Sequence, residues 1–143
     1  MGAKRPAGGK EAIVPSDPDA LLRQHVPDLD NWAKSWHGLK SDIPIGESLV
    51  EVFKPFLLEL LTKGMSVRTF RRHRGHVWLL GGEIIRHRHF DSDMAKLAAK
   101  DAILDVVDEL GGPISQHLFE SEQEAFDATC RKLFAFLSQG SDG

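Results

Sequence analysis

Seven histidines, one cysteine and a run of arginines are the side chains through which this sequence can do chemistry. Four of the histidines, His73, His76, His87 and His89, lie in one stretch with Arg68, Arg71, Arg72, Arg74, Arg86 and Arg88. The pairs His73 with His76 and His87 with His89 can each offer two zinc ligands. On a continuous helix, however, His73 and His87 lie about 21 Å apart at ~1.5 Å per residue, so the two pairs cannot share an ion. Neither pair has a cysteine nearby, and no HExxH is present. The histidines therefore read as partly protonated surface groups, with no metal site and no cofactor. Cys130 falls on the apolar face of a predicted helix beside Arg131 and Lys132. A cation can activate a thiol, but without a paired base this one reads as a small buried apolar residue. Phosphate loops, dinucleotide fingerprints and nucleophile elbows are absent from the sequence, and its acids form no convergent pair. The expectation is a non-enzymatic protein with no small-molecule substrate.

What remains is charge. From Lys63 to Phe90 there are seven of the eighteen Lys and Arg residues and one acid, Glu83, a local balance of +6 in a chain of net −3. Residues 1–62 carry −2 and residues 91–143 carry −7. Such a basic middle either meets phosphates or pairs with the acidic helices around it. Helical phase at ~100° per residue puts Phe70, Val77, Gly81, Ile84, Val67 and Ile85 on one face. Arg68, Arg72 and His76 form a stripe on the other side, with Arg86 close to it, and Gly75 beside it offers a bare backbone. Arg74 falls on the apolar face, where it either snorkels or marks a junction of two helices near Gly75. Gly81 and Gly82 each cost a helix interior about 1 kcal/mol, and so mark a close helix crossing or a break.

The elements that would position these residues are all helical. With 143 residues, 41% hydrophobic and 27% charged, the chain is long enough for one domain with a core. Residues 1–18 and 139–143 read as disordered tails around a helical domain at 19–138. Trp32 and Trp36 share a face of a short N-terminal helix, as core plugs or as a stacking surface. SDIPIG (41–46) reads as a turn, and a helix over 47–63 follows, kinked or restarted at Pro55 and ended by Gly64. Ser66 caps the basic helix, 66–89. A third helix is expected over 92–110, stopped by Gly111-Gly112-Pro113, and a last one over 121–138, opened by a Ser121–Glu124 capping box. The fold class is all-α: an irregular or orthogonal bundle of four main helices plus short N-terminal ones. A lone cysteine, no apolar leader and no run long enough to span a membrane point to a cytoplasmic protein.

Two stretches carry a family resemblance. LLELLTKGMSVRTFRRHRGHVWLL resembles the core-binding domain of tyrosine recombinases, where a Gly-x-Ser-x-x-Thr step, here Gly64, Ser66 and Thr69, joins two helices. FDATCRKLFAFL (126–137) is similar to that domain's final helix, with Arg131 and Lys132 as its basic pair. Strings such as Val77-Trp78 through LLGGEII also resemble those of small bacterial proteins without assigned function. The recombinase resemblance implies a helical clamp on duplex DNA, with Arg68, Arg71 and Arg72 as contacts. The chain has no tyrosine, so the recombinase nucleophile is missing and a binding module without catalysis is implied. The nucleic-acid contacts expected from both arguments are Arg68, Arg71, Arg72, Arg74 and His76, then Arg86, Arg88, Arg131 and Lys132. The alternative is a protein-interaction module that uses its acidic helices and exposed aromatics.

Overall fold

The computed structural model of the chain describes residues 17–141. Most of the tail expected at 1–18, and the last two residues of the one expected at 139–143, lie outside that range. Within it are six α-helices and no strand beyond an isolated bridge between Asp108 and Gly111. The helices are α1 (Pro18–His25), α2 (Trp32–Trp36), α3 (Asp42–Thr62), α4 (Val67–Arg88), α5 (Ala99–Val106) and α6 (Glu120–Ser141). The fold is all-α, as the periodicity requires.

α3 is the central helix, with α1, α2, α4 and α5 packed on it, while α6 packs on α4. Its apolar positions Leu49, Phe53, Phe56, Leu57 and Leu60 are buried, and Val52 is half-buried, so the predicted stripe is the core stripe. Its start differs from expectation, because SDIPIG is not a turn but the first turn of the helix from Asp42 onward. Pro44 sits where no backbone N–H is needed, and the Asp42 carboxylate accepts from the N–H groups of Gly38 and Leu39 at 2.9 and 2.8 Å. The helix also continues through Pro55 without restarting.

The α3–α4 junction follows its sequence signals. Gly64 takes φ +78°, a left-handed conformation that glycine reaches without steric cost. Ser66 Oγ then accepts the Thr69 N–H at 3.1 Å and opens α4. α4 is one helix of 22 residues through Gly81 and Gly82. Trp36 lies against it there, with its indole N–H donating to the Trp78 carbonyl at 2.9 Å. The glycine pair is therefore a crossing point and not a break. Val67, expected on the core face, is exposed at the helix start.

The helix expected over 92–110 is shorter and interrupted. Asp91 Oδ1 caps a single 3-10 turn at Met94–Lys96, Leu97 and Ala98 are extended, and α5 runs only from Ala99 to Val106. Asp108 Oδ1 accepts from the N–H groups of Leu110 and Gly111 at 2.8 and 3.1 Å, a local turn that competes with the helix. Leu110, placed on the core side by phase, is 77% exposed as a result. α6 begins at Glu120, with Glu122 rather than Glu124 reaching back, to the Phe119 N–H at 3.0 Å. It also runs to Ser141, beyond the expected end at 138.

Candidate nucleic-acid interface

The first two turns of α4 carry Arg68, Arg71 and Arg72. Spacings of three and four put them on one side of the helix, and all three are exposed. None makes an ion pair or side-chain hydrogen bond among the described residues, and the first turn of α4 holds no acid. These guanidiniums sit near the positive end of the helix macrodipole, where cations are disfavoured, so nothing within α4 offsets them. On α6, Lys132 is also exposed and lies close enough to His73 to depress its basicity. A groove beside Lys132 runs to Lys63, whose ammonium is 3.9 Å from Glu59. The ion pairs among the described residues involve none of the acids at 91–110 or 120–127. Among the described residues, the acidic helices thus supply no ion pair to the arginine patch.

The remaining predicted contacts are held elsewhere. Arg74 pairs with Asp28, which also accepts the Trp32 indole N–H at 2.8 Å. Its place on the apolar face reflects this bridge to the α1–α2 connection, not snorkelling or a helix junction. Burial pushes the Asp28 carboxyl up, but the Trp32 indole and the Arg74 guanidinium outweigh it and hold the group below its ordinary range. Arg88 reaches the Met94 carbonyl at 3.5 Å, and Arg131 reaches the Leu110 carbonyl at 3.3 Å. Arg86 leans toward Glu83 at 3.4 Å with its side chain still 44% exposed.

His76 is not part of an exposed stripe. Its Nδ1 and that of His73 both lie 2.7 Å from the Thr129 hydroxyl of α6, and the His76 ring meets Phe126 edge-on. A hydroxyl has one proton to give, so it must accept an N–H from at least one of the two rings. Burial depresses the basicity of both imidazoles, and Arg72 depresses it further. That burial favours the neutral form of both rings, and the exposed cationic stripe ends at Arg72. His89 bonds to Asp42 at 3.0 Å, and His87 is 3.7 Å from Glu83. No cluster of three or more metal-ligating side chains occurs among the described residues. The Cys130 thiol is buried, and its pKa is pushed up to about 12 by that burial and by Asp127.

A second feature is not legible in the sequence. A cleft of about 360 Å³ opens beside α4, between Ser35 and Trp36 on one side and Trp78, Gly82, Glu83 and Arg86 on the other. Trp32 and Trp36 are core, whereas Trp78 is 40% exposed, with its indole N–H fixed on Ser35 Oγ at 2.9 Å. The Glu83 side chain is only 2% exposed; Ser115 Oγ donates to it at 3.1 Å. Its isolation as the lone acid in the basic stretch was the one available signal. Family models, curated proteins and solved structures give no match to this chain. No described helix is long and apolar enough to cross a membrane.

Proposed function

We propose that this chain is a non-enzymatic nucleic-acid-binding protein that grips the phosphate backbone with the start of α4. The observation that carries this reading is the exposed trio Arg68, Arg71 and Arg72, without a partner among the described residues and with Lys132 of α6 close to the same His73 as Arg72. Unpaired guanidiniums at a helix N-terminus suit an external polyanion, because phosphate supplies the charge the fold withholds and accepts bidentate hydrogen bonds. The resemblance of the Gly64–Ser66–Thr69 step to a recombinase core-binding domain points to the same face. Contacts of this kind position a strand without reading its sequence. Labelled duplex DNA, single-stranded DNA and RNA titrated at low and high salt test the reading. Binding at low salt that weakens steeply with salt is expected, and no binding at low salt would refute it.

A protein-interaction reading rests on Leu110, Ile114 and Phe119, which stand 77–83% exposed beside the acidic start of α6. It expects an association indifferent to the arginines and lost with Phe119→Ser.

A further inference from the structure

We propose that the cleft beside Trp78 receives a single unpaired nucleobase of the strand whose phosphates lie on Arg68, Arg71 and Arg72. This rests on the nucleic-acid reading above and specifies it: the preferred ligand is single-stranded.

The cleft has one aromatic wall and one polar end. Trp78 is held in place by its bond to Ser35, yet leaves two-fifths of its surface open. A fixed, partly exposed indole is a stacking platform for a base, and stacking of this kind tolerates any base. At the polar end the Glu83 carboxylate is incompletely satisfied. Ser115 serves Oε2 at 3.1 Å, but among the described residues Oε1 has only Arg86 at 3.4 Å and His87 at 3.7 Å. Both are longer than a good N–H···O bond of roughly 2.7–3.2 Å. An exocyclic amine of adenine, cytosine or guanine supplies the missing donor, and Arg86 can turn to a neighbouring ring nitrogen or carbonyl. Thymine and uracil present carbonyls where the amine would be, so they fit least.

The size and position agree. A volume of about 360 Å³ falls at the small end of ligand pockets and is ample for one base. A base that enters the cleft to lie on Trp78 and reach Glu83 has left its own helical stack, which an unpaired base does at least cost. Along α4, Arg68, Arg72, Gly75, Leu79, Gly82 and Arg86 recur at spacings of three and four, which places patch and cleft on one side of one helix. Arg72 and Gly82 are about 15 Å apart along the axis, a span of a few nucleotides. Between them Gly75 is bare, with nothing within 4 Å of where a Cβ would be, so a strand can cross against the helix backbone.

The test uses the full chain, equal-length oligo(dA), oligo(dT) and abasic deoxyribose-phosphate strands, and the variants Trp78→Leu, Trp78→Phe and Glu83→Gln. Oligo(dA) is expected to bind about ten-fold or more tighter than the abasic strand. Trp78→Leu should abolish that gain with the salt slope unchanged, and Trp78→Phe should keep most of it. Glu83→Gln should shrink the preference for oligo(dA) over oligo(dT). Equal binding of oligo(dA) and the abasic strand overturns the base pocket while leaving the phosphate reading intact. If neither strand binds, the phosphate reading falls, and adenosine at millimolar concentration decides the pocket. A shift of the Trp78 indole N–H resonance sustains it, and no shift overturns it.

Discussion

Trp36 lies against α4 at Gly81, so closely that a Cβ there would collide with the indole, with Cε2 only 2.7 Å away. This contact fixes α2 on the middle of α4 and so sets the wall of the cleft that Trp36 shares with Trp78. Gly81→Ala should therefore destabilise the fold by about 1–3 kcal/mol through overpacking, despite the better helix propensity of alanine. Gly75→Ala meets open space and should stabilise it by about 0.5–1 kcal/mol. Urea unfolding of the two variants checks this contrast, which propensity alone does not give.

The His73–Thr129–His76 arrangement predicts an acid-sensitive stability. Both imidazoles have depressed basicity in the fold, relative to the ordinary value of 6.5, chiefly because they are buried. As pH falls the unfolded chain takes up protons first, so stability is complete above about 6.5 and declines toward the depressed values below it. Asp28 and Asp42 are held below 3.8 and begin to lose their contribution only under that value, so their decline starts lower than that of the histidines. Replacing both histidines by phenylalanine or leucine should flatten the upper window, as read from denaturant midpoints across pH.

Thr129→Val isolates the hydroxyl in that trio. The residue is 2% exposed and valine matches its shape, so two ring nitrogens lose a shared partner with little change in packing. A loss of about 1–3 kcal/mol is expected by chemical denaturation.

Cys130 should be inert in the native protein. With its thiol buried and its pKa pushed up to about 12, almost no thiolate is present at neutral pH. A thiol reagent at pH 8 should label it only in denaturant, on the timescale of unfolding.

The sequence made the three long helices legible because their core stripes, such as Leu49–Phe53–Phe56 and Phe126–Cys130–Leu133, keep a helical period over many turns. It misled where local signals met tertiary contacts. Pro44 and Gly46 look like breakers, yet one sits where no N–H is needed and the other lets α3 approach Ala33 of α2, a Cβ there lying 2.9 Å from the Ala33 Cβ. The 92–110 pattern was apolar enough for a helix, but the Asp91 and Asp108 turns divide it. The basic patch was legible as charge, while its true extent was not. Arg74 is claimed by Asp28, 46 residues away, and His76 by Thr129, 53 residues away. The cleft draws on Ser35, Glu83 and His117 from three separate segments, and periodicity cannot bring such residues together.

The central claim is that Arg68, Arg71 and Arg72, and not basic residues at large, meet phosphate. With Lys132 they neutralise about four phosphates, so the slope of log affinity against log salt should be about −3. The decisive measurement is that slope for the native chain, for Arg68→Ala with Arg72→Ala, and for Arg88→Ala with Arg131→Ala. The account predicts a slope shallower by about 1.5–2 in the first double variant and no change in the second, whose arginines are held on backbone carbonyls. Equal slopes in all three proteins would contradict it.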